Sequence, residues 1–327
     1  MRAQLKPLSE QVIVITGATS GIGLATAREA ARRGAKLVLV ARDERALSAL
    51  GDELRQRQCE ALAIAADVGD EAAVQRVSAD AIARFGHYDT WVNNAGVSIY
   101  GRLDDATMAE NRRLFDTNFW GVVHGALAAR RHLRGHGGAI ITVGSVASDL
   151  SLPLQGMYSA SKHAVKGFID ALRVESDNEG APVSITLIKP ASVSTMLTEH
   201  ARNYLPQKPA LPPPVYAPKV VADAILHAAA HPVRDVYVGE PSVAGSTFMS
   251  IAPGMTDKLL QTFVINMQQR REAEDRPDNG NLFKPAEHGV LRESPEDSGF
   301  TLRHSPYTEV MTRWNGTMDF LLRGFGR

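Results

Sequence analysis

The sequence predicts an α/β protein: a doubly wound parallel sheet of about seven strands with helices on both faces. Two patterns carry that expectation. Short β-branched runs alternate with amphipathic helical stretches through the first two-thirds of the chain, the order that βαβ units produce. Most of these runs are also apolar on both faces, as strands sandwiched between two helical layers must be. In order, the strand candidates are "QVIVIT", "AKLVLVA", "EALAIAADV", "DTWVNNAG", "AIITVGS", "VSITLIKP" and "DVYVG". Helical patterns lie between them near 22–33, 43–58, 70–85, 105–133, 157–179 and 218–230. Right-handed connections then put a ligand crevice beyond the C-terminal ends of the strands.

From about Val243 the pattern changes, which divides the chain into a main body at 1–242 and an extension at 243–327. The extension is expected to pack on the same domain or on a neighbouring subunit. Residues 251–271 read as one amphipathic helix with Met255, Leu259, Leu260, Phe263, Val264 and Met267 on one face, and packing is favoured over a membrane surface. Residues 275–308 are rich in turn formers without a period, and a last helical pattern holds Trp314, Met318, Leu321 and Leu322.

Composition narrows the function. Among 327 residues, 36 basic and 36 acidic side chains balance, so no surface for nucleic acid or anionic lipid is indicated. One cysteine, Cys59, excludes an intrachain disulfide and a Cys-rich metal centre. The N-terminus lacks the apolar core of a secretory signal, and no run reaches the roughly 20 apolar residues of a membrane span. A cytoplasmic protein is expected.

The stretch "VIVITGATSGIGLATAREAARRGAKLVLVAR" is a strand, a glycine-rich turn, a helix and a second strand. Gly17, Gly21 and Gly23, with Ser20 and Ile22 between them, suit a turn whose backbone must approach a pyrophosphate. The N–H groups and dipole of the helix start can hold the phosphates. Tyr158 and Lys162 stand four apart in "QGMYSASKHAVKGF", on one face of a helix without proline, and so can act on one site. An adjacent ammonium favours the phenolate, making the tyrosine a usable acid/base. Tyr204 and Lys208 repeat the spacing, but Pro206 lies between them and Pro209 follows, so that pair is coincidental. Ser145 ends the fifth strand, at the crevice mouth.

The T-G-x-x-x-G-x-G spacing, "NNAG" at 93–96, Asn118 in "FDTNFWG", Ser145 in "TVGS" and "YSASK" occur in one order. With them the chain resembles the short-chain dehydrogenase/reductase family, in its compact Rossmann-type branch, over roughly residues 9–240. The resemblance implies that Tyr158 is the acid/base and that Ser145 hydrogen-bonds the reacting oxygen. It also implies that Lys162 binds the nicotinamide ribose and that Asn118 holds a proton-relaying water. Asp67 and Val68 would hold the adenine, and Asn94, Ala95 and Gly96 would line the adjoining ribose region. Thr195 would hold the carboxamide. Where the family usually has Pro-Gly before that threonine, this chain has Pro190-Ala191, which implies a local backbone adjustment. A homodimer or homotetramer through the helices at 105–133 and 157–179 is implied as well.

A dinucleotide with a free 2′-OH is normally met by a carboxylate at the end of the second strand. Here that strand ends in Ala41 and Arg42, a guanidinium suited to a 2′-phosphate, so NADP(H) is favoured; NAD(H) stays open through Asp43. The expected reaction interconverts a carbonyl and a secondary alcohol. Ile99, Tyr100, Leu150, Leu152, Leu154, Met157, Met196 and Leu197 point to a largely apolar substrate. A non-catalytic NADP(H)-sensing protein and a sugar-nucleotide epimerase or dehydratase are the alternatives. His132 and His136, spaced i, i+4, read as a helix end complementing its dipole rather than a metal site. "QKPALPPPVYAP" reads as the far end of a substrate-covering loop.

Overall fold

Seven strands hydrogen-bond in parallel as the middle layer of the computed structural model, which describes residues 3–273, 280–285, 290–295 and 299–312. They are β1 (Val12–Thr16), β2 (Lys36–Ala41), β3 (Ala61–Ala65), β4 (Thr90–Asn93), β5 (Gly138–Val143), β6 (Val183–Pro190) and β7 (Asp235–Val238). The order across the sheet is β7-β6-β5-β4-β1-β2-β3, every neighbouring pair parallel. Strand order reverses between β1 and β4, the switch point where an open α/β sheet leaves a crevice.

Strand alternation splits the core in two. Ile13 and Ile15 of β1 and Leu37 and Leu39 of β2 pack beneath α1 (Gly21–Arg32), α2 (Glu44–Gln56) and the later helix Pro218–Ala230. Val12 and Val14 face the other way, with Trp91, towards α3 (Glu71–Phe85) and the long helices that follow it. Local chemistry fixes the ends. The Asp43 carboxylate accepts from the N–H of Arg45 and Ala46, each at 3.0 Å, and caps α2; Asp70 does the same for α3. Gly86 ends α3 at φ +81°, a left-handed cap that glycine adopts without penalty.

The helical pattern at 105–133 is one helix, α4, across residues 108–133. It comprises Met108–Phe115, a π-helical turn Asp116–Trp120, and Gly121–Leu133. A π turn widens the helix by one residue and is frequent at functional sites; here it carries Asn118. Next come α5 (Gly156–Asn178) and α6 (Pro218–Ala230).

Beyond β7 the helical reading needs correction. A helix α7 (Glu240–Ile251) spans the expected boundary at 242–243, and a separate one begins at Pro253 after the turn at Ala252. That second helix runs through a π turn, Leu260–Val264, and ends at Met267. Gln269–Ala273 is instead a strand, antiparallel to Gln207–Pro209. The apolar residues do not share one buried face: Met255, Leu259, Phe263 and Met267 are exposed, whereas Leu260 and Val264 line the central cavity. The pattern around Trp314, Met318, Leu321 and Leu322 lies outside the described residues. Among those described, no helix is long and apolar enough to cross a membrane.

Candidate active site

The glycine turn joins β1 to α1 beside the switch point. Gly17 and Gly21 take φ +67° and +54°, conformations costly for any side chain. Gly23 is needed for a different reason: a Cβ there would meet the Gly17 carbonyl oxygen at 2.0 Å, so only glycine lets the helix start lie on the turn. The Asn94 amide donates to the Thr16 and Gly17 carbonyls at 2.9 and 3.2 Å, while Thr16 Oγ1 accepts from the Asn94 N–H at 3.0 Å. "NNAG" thereby holds the end of β4 against the end of β1.

Helix α5 brings Tyr158 and Lys162 to the same wall, both buried. Lys162 Nζ lies 5.7 Å from the centre of the Tyr158 ring and donates to the Val143 carbonyl at 2.9 Å. Ser145, two residues beyond the end of β5, lines the same cavity. Burial pushes the Tyr158 phenol above its ordinary value, and the nearby Ser145 hydroxyl only partly opposes this. The expected lowering by the ammonium is therefore not what governs the phenol. Burial disfavours charge on both groups, and it pulls Lys162 down to about 8. Asn118 is fully buried and does not line the cavity. Its amide instead pairs with both backbone groups of Val97, at 2.8 and 2.9 Å, and donates to Ser161 Oγ at 3.2 Å.

A single cavity of about 730 Å³ joins these groups. Gly17, Ser20, Gly21 and Ile22 line one part, with Arg42, Asp67 and Val68 next to them. Asn94, Ala95, Gly96, Pro190 and Thr195 continue towards Ser145, Tyr158 and Lys162. Thr195 packs on the turn, its Cβ 3.1 Å from where a Gly21 side chain would begin. The Ala191 N–H donates to Val238 at 2.9 Å, which ties the Pro190-Ala191 step to β7. Of the expected apolar residues, Tyr100, Leu150, Leu152, Met196 and Leu197 line the cavity, but Ile99, Leu154 and Met157 do not. Ile99 is taken up in a short parallel pairing with Arg202, and the Leu154 carbonyl accepts from Gly101. Leu211, Pro212, Pro213 and Pro214 also line it, so the proline-rich stretch does cover the cavity. Tyr204 and Lys208 are apart in function: Tyr204 donates to Glu110 at 2.6 Å, and Lys208 pairs with Glu272 at 3.5 Å.

The short chain dehydrogenase profile matches residues 11–205, which include every one of these wall residues up to Thr195. The chain belongs to the short-chain dehydrogenase family. Within that family it is 42% identical over 315 residues to the uncharacterized oxidoreductase YxnA of Bacillus subtilis (strain 168), covering 95% of this chain and 88% of that one. It is 31% identical over 277 residues to dehydrogenase/reductase SDR family member 7B of Bos taurus, 80% and 82% of the two chains. A Burkholderia phymatum short chain dehydrogenase/reductase, solved in complex with NAD, superposes with a TM-score of 0.67 at 28% identity over 83% of this chain and all of its own. The alcohol dehydrogenase of Thermococcus sibiricus, complexed with 5-hydroxy-NADP, gives 0.62 at 28% identity, over 69% and 95%.

The family motifs end well before the extension, and there the sequence reading missed part of the cavity wall. Asn281, Pro285, Val290 and Arg292 line it, as do Leu260 and Val264. Arg113 was missed too; it forms an ion pair with Asp67. Asn281, Pro285, Val290 and Arg292 sit in a stretch without periodicity or motif. The helical periods around Leu260, Val264 and Arg113 do not say that the first two reach the cavity or that the third meets Asp67, so only the folded arrangement identifies them.

Proposed function

We propose that this family member interconverts a carbonyl and a secondary alcohol with NADP(H). The observation that carries this reading is one cavity with the glycine turn on one wall and the buried Tyr158, Lys162 and Ser145 on another. The cradle fits a nicotinamide dinucleotide, since a side chain at Gly17 or Gly23 would strike the turn or "NNAG". Gly17, Ser20, Gly21 and Ile22 would hold the pyrophosphate, with Asp67 and Val68 at the adenine. Asn94, Ala95 and Gly96 would lie along the adjoining ribose, and Pro190 and Thr195 beside the nicotinamide. When bound, the nicotinamide supplies or takes up the hydride.

The chain's own residues handle the proton. Tyr158, kept protonated by burial, gives its phenolic proton to the carbonyl oxygen in the reducing direction and takes it back in the oxidising one. The Ser145 hydroxyl hydrogen-bonds the same oxygen as charge develops there. Lys162 holds positive charge beside the tyrosine at neutral pH. Asn118 pins the segment after "NNAG" to α5 through Val97 and Ser161, which supports a positioning role.

Arg42 and Asp43 both line the cavity at the end of β2, and a preference for NADP(H) is supported by the Asp43 carboxylate being engaged in capping α2. Tyr100, Leu150, Leu152, Met196 and Leu197 support an apolar ketone as substrate. Exposed Met108, Trp120 and Leu127 on α4 and Val174 on α5 support pairing of subunits through those helices.

The test uses NADPH consumption on a panel of aromatic and alicyclic ketones, with fluorescence titration of NADPH and NADH. Tyr158→Phe should keep the NADPH Kd within about twofold and lose turnover by about 10²–10⁴-fold. Near-wild-type turnover in that variant would overturn the reading. NADPH should bind more tightly than NADH; equal affinities would remove the NADP(H) preference alone.

A further inference from the structure

Two described stretches of the extension, 280–285 and 290–295, meet the cavity at the end of β2 and at the glycine turn. At the β2 end, Arg42 donates through Nη1 to the Leu282 carbonyl at 3.1 Å and through Nη2 to the Asn281 carbonyl. Arg113 Nε donates to the same Leu282 carbonyl at 3.0 Å while its Nη2 pairs with Asp67. The Asn281 N–H donates to the His200 carbonyl at 2.8 Å, which reaches across to the segment after β6. Leu282 anchors this stretch: its side chain is 3% exposed and packs in the cluster containing Val97 and Leu114.

At the glycine turn, the Gly21 N–H donates to the Arg292 carbonyl at 3.0 Å. Glu293 pairs with Arg28 of α1 at 2.8 Å, and the Ser294 hydroxyl donates to the Ser194 carbonyl at 2.7 Å. Both stretches therefore grip both banks of the crevice: β2 and α1 on one side, residues 194–200 on the other.

We propose that these stretches form a clamp over the dinucleotide, latched by Arg42, which must lift for NADP(H) to enter or leave. The proposal rests on the function proposed above. The choice of latch partners matters. A guanidinium has five N–H donors, and one from each terminal nitrogen meets a backbone carbonyl, leaving three. Carbonyls fix its plane without pairing its charge, and the Asp67 carboxylate, which also acts on Arg42, is itself ion-paired with Arg113, so Arg42 keeps positive charge for a 2′-phosphate. The extension thus orients Arg42 in advance, which saves the ordering cost when phosphate binds, and makes opening of the clamp the gate for cofactor exchange.

The test is made on the full chain, with cofactor release followed by stopped-flow fluorescence as NADPH or NADH is chased. Leu282→Ala removes the buried anchor and should speed release of both dinucleotides by about tenfold or more. Glu293→Gln, at a partly exposed site remote from the hydrophobic anchor, should act in the same direction by a smaller factor. In the unmodified protein, NADPH should slow hydrogen exchange at the Asn281 amide. Wild-type release rates in both variants, or an Asn281 amide indifferent to NADPH, would overturn the clamp. Equal affinity of the wild type for NADH and NADPH would remove the 2′-phosphate preference and, with it, the latch role of Arg42, whereas the release rates would still report the clamp. Binding of neither dinucleotide would overturn clamp and proposed function together.

Discussion

Lys162 keeps its ammonium inside the protein, 5% exposed, with the Val143 carbonyl as acceptor and the Tyr158 ring beside it. The pair itself is legible in the sequence, because four-residue spacing on an uninterrupted helix puts both groups on one face. Their protonation is not, since burial depends on what the rest of the chain packs around them. That burial makes a definite pH prediction. Below about 8, Lys162 is charged and stabilises the tyrosinate left after Tyr158 gives up its proton. As pH rises through that value the charge is lost, so kcat/KM for carbonyl reduction should fall. The phenol, raised above its ordinary value, should add no inflection of its own below about 10. Lys162→Met, assayed at saturating cofactor, should be slower throughout and lack the step near 8. A step that survives in the variant would mean that another group titrates.

At the level of elements, all seven strands and the helices of the body are legible, because strand and helix periods differ and each run is long enough to declare its own. The helix pattern at 251–271 misleads for a physical reason. Leu259 and Leu260, like Phe263 and Val264, are sequence neighbours about 100° apart on a helix, so a broad apolar stripe covers both. The protein divides that stripe, with Leu260 and Val264 at the cavity and Leu259 and Phe263 in solvent. The glycine turn offers the sharper element-scale test. Gly23 has no positive φ, so Gly23→Ala isolates close approach from backbone freedom. Its added methyl would have to displace the Gly17 carbonyl, which is backbone and cannot swing aside. The substitution should cost about 1–3 kcal/mol in thermal unfolding and weaken NADPH binding in fluorescence titration. Unchanged affinity would show that the turn need not hold this shape.

Across the whole molecule, the extension is joined to the body by polar groups that no periodicity announces. Glu240 accepts from Tyr216, from Ser305 at 3.0 Å and from the Tyr307 N–H at 3.2 Å, bringing residues 305–307 back against β7 and the loop before α6. Asp149, just beyond Ser145, accepts from Ser246 of α7 at 2.9 Å and from Lys189 of β6 at 3.1 Å, and it pairs with Lys166 of α5. Burial alone would raise the Asp149 carboxyl, but the hydrogen bonds from Lys166 and Ser246 and the charge of Lys189 win and hold it below the ordinary carboxylate value. The side chains of Asp149 and Lys189 are 7% and 4% exposed, so neutralising Asp149 takes the buried paired charge from Lys189 and leaves it the Tyr237 hydroxyl and the charge of Asp235. Asp149→Asn should therefore cost about 3–5 kcal/mol at pH 7, read by denaturant unfolding. The sign with pH follows from linkage: a carboxyl whose folded pKa is depressed contributes fully above its unfolded value of 3.8 and loses that contribution as pH falls through the folded value. Wild type and Asp149→Asn should accordingly converge in stability below that range while differing at neutral pH. Because Asp149 joins α7 to the loop carrying Ser145, the variant should also lower turnover without touching the cofactor's binding residues. A variant as stable as wild type at pH 7 would mean that the Asp149 ion pairs contribute nothing net to holding α7 against the body.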